Sequence, residues 1–292
     1  MTTPVRKAVI LAGGLGTRML PASAAAPKEM LPVLDKPLLE YAVEEAIEAG
    51  IEQIILVLSP GKESIREYFE GNSRVARTLV ERGDDRAAIA LRGSQLASFA
   101  FTEQREPRGI ADAVATTRAI VGDEPFALMF PDDLIFASPS ATAQLATRQA
   151  ETGGSVVAVQ PVAPELVENY GIADTAPGRD WRISGIIEKP SASEAPSNYA
   201  VVGRYILAPS IFEHIERLAP GRGGEYQITD AIAAQISAGE PVHALPFEGD
   251  RFDTGRPGGY LEAFVAAALR RPELESSVAA IRTMLRMSDH AS

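Results

Sequence analysis

The residues whose types and spacing could do chemistry are a run of glycines, the cations that follow it, and an aspartate at a strand end. Gly13, Gly14 and Gly16 come directly after the short apolar run at residues 8–12. Glycine lets a backbone turn sharply and lets a ligand approach its amide groups. A row of free amides after a strand is an anion cradle. Arg18 and Lys28 add two cations beside it, a combination suited to a triphosphate. The common phosphate signatures do not fit, because the dinucleotide pattern needs a third glycine where Met19 stands and Gly-Lys-Ser/Thr is absent. Glycines alone would serve as a plain turn; their joint presence with Arg18, Pro21 and Lys28 points to phosphate. The second position is Asp132, in Pro131-Asp132-Asp133 after the apolar run 126–130. A carboxylate at the C-terminal end of a central strand lies where open α/β sheets bind ligands. It would suit a hard cation such as Mg²⁺, although an aspartate capping a helix before Leu134 would look the same.

The elements that must position these residues alternate. Apolar runs at 8–12, 54–58, 99–102, 126–130, 155–160, 181–187, 199–207 and 242–247 read as strands. Helical spacing marks 37–50, 63–69, 110–121, 140–151, 209–218, 257–270 and 274–287, and 223–232 opens another helix. Strands alternating with helices imply parallel pairing and covered faces. The expectation is an α/β fold with a Rossmann-like, mostly parallel central sheet and helices on both faces. One domain over residues 1–292 is expected, with 272–292 as a C-terminal helical extension. The charged stretch 71–98 reads as partly helical and peripheral.

Composition narrows the function. A formal net charge of −11 argues against a general nucleic-acid binder. There is no cysteine, so thiolate metal sites and disulfides are excluded. The first residues are short and polar with no signal-peptide core, and no apolar run reaches the length of a membrane span. A cytoplasmic protein is the default expectation. An acidic protein with an anionic substrate must gather its cations locally or recruit a metal.

The stretch Gly14-Leu15-Gly16-Thr17-Arg18-Met19-Leu20-Pro21, with Pro27-Lys28-Glu29-Met30-Leu31-Pro32 and Asp35-Lys36-Pro37, resembles the sugar-phosphate nucleotidyltransferase family. Within it the segments look like those of the bacterial uridylyltransferases. Pro131-Asp132-Asp133, Glu188-Lys189-Pro190 and Ala195-Pro196-Ser197-Asn198 agree in order, and the likeness runs from about Lys7 to Val265. It implies transfer of a uridylyl group from UTP to glucose 1-phosphate, with Arg18, Lys28 and Lys189 as catalytic cations. Ala12, Gly13, Gly14, Gly16 and Thr17 would hold the nucleotide, with Gln104 and Gly109 at the base. Glu29, Gly171, Glu188, Val202 and Gly203 would contact the sugar, and Asp132 and Asp253 would bind Mg²⁺. Without the resemblance, Gln104 reads as part of a surface turn and Glu188-Lys189 as a solvated pair. The run Glu225-Tyr226-Gln227-Ile228-Thr229-Asp230 is similar to a family segment near the sugar and subunit contacts, and could equally be a capping cluster.

Three segments depart from the uridylyltransferase pattern. Gly13-Gly14 is a doubled glycine, Gly109-Ile110-Ala111-Asp112 replaces Gly-Leu-Gly-His, and Asp253-Thr254-Gly255 replaces Asp-Cys-Gly. The first two lie near the base, so a thymidylyltransferase using dTTP stays open. So does a sugar-nucleotide-binding subunit without activity. A glycosyltransferase would show Asp-x-Asp, whereas these acids are adjacent. The expected partners are small-molecule substrates, with no nucleic acid and no membrane, and a homo-oligomer formed through the C-terminal helices.

Overall fold

The computed structural model describes residues 3–176 and 180–289, and of 285–289 the backbone only. Its centre is the strand Lys7–Ala12, flanked by Gln53–Leu58 on one side and Phe126–Met129 on the other, both parallel to it. Ser98–Glu103 extends the sheet beyond Gln53–Leu58, again in parallel. Tyr199–Leu207 pairs antiparallel with Phe126–Met129 and turns the sheet mixed. It also pairs with Ser155–Pro161 and Gly171–Asp174, the latter carrying Gly185–Glu188 at the edge. Val242–Pro246 runs parallel to Ser155–Pro161, giving nine strands in the sheet among the described residues.

The central strands are apolar on both faces because both faces are covered. Val9, Ile55, Phe126 and Leu128 point to one core with helices Ile110–Ala115, Ile211–Glu216 and Ile228–Ser237. Ala8, Ile10, Ile54 and Leu56 point to the other, against Leu38–Glu48, Glu63–Phe69 and Ala141–Thr152. A third cluster around Leu38, Leu134, Ala263 and Ala267 seats the helix Pro257–Leu269.

Some boundaries differ from the sequence reading. The helix expected over 110–121 breaks into Ile110–Ala115 and Arg118–Val121, with Thr116 and Thr117 turning their hydroxyls onto the carbonyls of Ala113 and Val114. The strand expected over 181–187 is confined to Gly185–Glu188, since Asp180 and Trp181 take positive φ. Asp133–Phe136 is a strand, not a capped helix, and pairs antiparallel with Asp250–Asp253. Leu134 and Phe136 face the third cluster with Phe252, so a period of two sets this segment. The 71–98 stretch carries the short helices Arg74–Glu81, Ala87–Ala90 and Arg92–Gln95.

Candidate active site

The small antiparallel pair builds the centre of the site. It places Asp253 opposite Asp133, and the Thr254 amide and hydroxyl both donate to the Asp132 carbonyl at 2.8 Å. Two aspartates far apart in sequence are thereby brought to one point. A side chain added at Gly255 would meet Arg18 Nη2 at 2.8 Å, Asp253 Oδ1 at 3.0 Å and Asp132 Oδ2 at 3.2 Å. Glycine at 255 leaves that space open. Lys28 Nζ donates to Asp132 Oδ2 at 2.6 Å. Burial opposes both charges, yet the pairing prevails: Asp132 is held below the usual carboxylate range and Lys28 above the usual lysine range. Asp253 accepts from the Gly255 amide at 3.1 Å and from Arg256 Nε at 2.8 Å.

Two convergent carboxylates fit a hard divalent cation. Mg²⁺ is commonly held by one or two carboxylates, its remaining positions going to water and phosphate oxygens. Among the described residues no group of three or more His, Cys, Asp or Glu forms a complete protein cage. Asp132 and Asp253 therefore suit an ion that arrives with, or completes its shell from, a phosphate ligand.

A cleft of about 560 Å³ opens from this centre. Gly171, Glu188, Lys189 and Gly203 line it with Arg18, Asp132 and Asp253. Thr229 Oγ1 donates to Glu188 Oε2 at 2.8 Å, and Lys189 Nζ stands 3.4 Å from Glu188 Oε1. Lys189 is half exposed, and its backbone takes a positive φ of 46° while its amide donates to the Tyr170 carbonyl. A second cleft of about 420 Å³ adjoins the first at Ile110, which lines both. Its walls include Gly13, Gly14, Gln104 and Gly109. Gln104 Nε2 donates to the Gly109 carbonyl at 3.0 Å and to Asp112 Oδ2 at 2.8 Å. Both amide hydrogens are thus spent, and Oε1 remains as an acceptor. Ala12 closes the central strand, fully buried, and Thr17 opens a 3₁₀ turn that presents Arg18.

Three expected site residues are placed differently. Glu29 does not reach the sugar end. Successive side chains in the tight turn Lys28–Met30 diverge, so Lys28 turns to Asp132 while Glu29 is buried against Lys62 Nζ at 2.6 Å. Val202 is 2 % exposed in the opposite core, because side chains alternate along a strand; its neighbours Val201 and Gly203 line the cleft. Gly109 lines the second cleft, but the backbone it makes room for belongs to the protein: a Cβ there would lie 2.5 Å from the Tyr226 carbonyl oxygen.

Other site residues were not singled out as contributors by the sequence. Arg251 lines the first cleft and donates to Asp133 Oδ1 at 2.7 Å, while the Gly203 amide donates to Asp133 Oδ2 at 2.7 Å. Asp133 is thereby a strut between two strands. Had 250–253 been read as a strand, a period of two would have put Arg251 on the same face as Asp253. Gln227 and Thr229, from the segment with two readings, a capping cluster or a family segment near the sugar and subunit contacts, also line this cleft.

The chain is similar to known proteins over most of its length. Residues 7–269 match the family model described as nucleotidyl transferase. The chain is 41% identical over 277 residues to UTP–glucose-1-phosphate uridylyltransferase of Staphylococcus haemolyticus (strain JCSC1435), covering 94% of this chain and 96% of that protein. It is equally similar, at 41% over 277 residues, to the protein of that name from Bacillus subtilis (strain 168), with 94% of each covered. Among solved structures it is similar to a UDP-glucose pyrophosphorylase complexed with UDP-glucose, with a TM-score of 0.82, 37% identity, and 91% and 100% of the two chains covered. A UTP-bound UGPase from Acinetobacter baumannii gives a TM-score of 0.82 at 35% identity, covering 96% and 98%.

Proposed function

The chain belongs to the nucleotidyl transferase family, and from that premise we propose that it transfers a uridylyl group from UTP to glucose 1-phosphate, releasing pyrophosphate and UDP-glucose. The observation that carries this reading is the meeting of Arg18, Asp132 and Asp253 above Gly255, in a cleft that adjoins the glycine-loop cleft at Ile110. Relatives named for this reaction at 41% identity support it.

The chemistry follows from charge. A phosphate oxygen of glucose 1-phosphate forms a bond to the α-phosphorus of UTP as the bond to the bridging oxygen breaks, and pyrophosphate leaves with that electron pair. The nucleophile is already an anion, so no general base is needed; the task is to bring two anions together. Arg18 and the glycine-loop amides hold the departing phosphates. Lys28 lies beside the transferring phosphoryl group, and Lys189 draws in the sugar phosphate. Glu188, seated on Thr229, accepts from sugar hydroxyls, and Gln104 Oε1 accepts from the uracil N3–H. When bound at Asp132 and Asp253, Mg²⁺ supplies further neutralisation of phosphate charge. The single-domain reading and an assembly through the C-terminal helices belong to the same proposal, the latter supported by the exposed Leu261, Val265, Leu269 and Met284.

The test is pyrophosphate release with Mg²⁺, using UTP or dTTP against glucose 1-phosphate and other sugar 1-phosphates. UTP with glucose 1-phosphate should be the best pair. A preference for dTTP would overturn the base assignment, and no release with any pair by a folded protein would support a binding subunit instead.

A further inference from the structure

The glycine loop is tied down by Ser59, which lines the second cleft beside it, and by Lys62, neither of which the proposed chemistry uses. Ser59 Oγ donates to the Gly13 carbonyl at 2.9 Å. Lys62 Nζ donates to the Gly14 carbonyl at 2.7 Å and to Glu29 Oε2 at 2.6 Å. Both loop peptides are trans, and a trans peptide points its carbonyl and its amide hydrogen in opposite directions. Tying back the carbonyls of Gly13 and Gly14 therefore turns the N–H groups of Gly14 and Leu15 away from Ser59 and Lys62. Among the described residues, neither N–H has an acceptor in the protein. Both residues are exposed, so these donors are open to water or to a ligand.

The Lys62–Glu29 pair is itself unusual. Both side chains are buried, at 8% and 1% exposure, and Glu29 Oε1 is buried with no partner among the described residues. A buried ion pair with an unsatisfied oxygen contributes little net stability. What the pair does contribute is position: Glu29 directly follows Lys28, which reaches Asp132, so Lys62 joins the loop to the segment that supplies the central cation.

We propose that Ser59, Lys62 and Glu29 form a positioning strut that aims the Gly14 and Leu15 amides at the nucleotide's triphosphate, setting nucleotide affinity while leaving sugar-phosphate affinity untouched. This rests on the functional reading above. None of the three touches the reacting atoms, so they are positioning residues.

The test compares wild type, Lys62→Met, Lys62→Met with Glu29→Gln, and Ser59→Ala. Each is measured for KM of UTP, KM of glucose 1-phosphate, kcat, thermal midpoint and UTP affinity by calorimetry. Lys62→Met should raise the KM for UTP by about 10- to 100-fold, the scale of one weakened hydrogen bond to a charged group, with the KM for glucose 1-phosphate within about twofold. The double variant removes the unpaired buried charge and should recover the thermal midpoint but not the UTP affinity. Ser59→Ala, which disturbs no charge, should weaken UTP several-fold. Recovery of UTP affinity along with stability in the double variant, or a parallel rise in both KM values, would overturn the strut. If wild type binds UTP but does not turn over, the functional reading fails, and the calorimetric series still decides the strut. If wild type binds no UTP, both fall.

Discussion

Asp132 works at the scale of a single carboxylate: one oxygen faces Lys28, and its carbonyl anchors Thr254. The side-chain charge is separable from the backbone role, so Asp132→Asn should keep the fold and lose the chemistry. We expect kcat to fall by at least about 10²–10³-fold, the cost of one preorganised electrostatic group, with an unchanged far-ultraviolet circular dichroism spectrum. Near wild-type activity in that variant would overturn the proposed role of Asp132 as a metal ligand. Much of this scale was legible in the sequence. Glycines after a strand and an aspartate at a strand end are local features, and local features survive reading in one dimension. Glu29 and Val202 were misplaced because each adjoins a residue of the site and points elsewhere. In a tight turn and in a strand, being next in sequence means facing away.

The elements act through close approach. The strand Tyr199–Leu207 changes its pairing register between Val201 and Tyr205, a kind of irregularity that re-aims side chains near sites. Within it, a Cβ at Gly203 would lie 2.5 Å from Asp133 Oδ2 and 2.7 Å from Phe130 Cβ. Gly203→Ala should therefore push Asp133 off its bonds to the Gly203 amide and Arg251. We expect a loss of about 1–3 kcal/mol in urea unfolding, with a higher KM for glucose 1-phosphate; an alanine variant as stable as wild type would show that the strand has room. Strand and helix order was readable from apolar periodicity. The pairing of Asp133–Phe136 with Asp250–Asp253 was not, because both runs are short and their partners are remote in sequence.

Across the whole molecule, a buried ion pair joins the helix Leu38–Glu48 to the strand Tyr199–Leu207. Arg204 Nη2 meets Glu45 Oε2 at 2.7 Å, and the same guanidinium donates to the carbonyls of Phe130, Gly203 and Asp133. Both side chains are buried, at 1% and 7% exposure. Breaking such a pair from one side leaves an uncompensated charge, so Glu45→Gln should cost about 3–5 kcal/mol in unfolding free energy, read by urea titration; a loss below about 1 kcal/mol would show the network relaxing around the change. This arginine carries no signal in the sequence, since only the fold surrounds it with acceptors. In the proposed reaction the molecule as a whole holds two anionic substrates against each other across adjoining clefts, and the chain supplies charge and position without a covalent step of its own. The most direct test is the stereochemical course of transfer from a UTP made chiral at the α-phosphorus by sulfur substitution. A single in-line displacement should invert the configuration in the UDP-glucose product. Retention would require two displacements through a covalent enzyme intermediate and would contradict this mechanism.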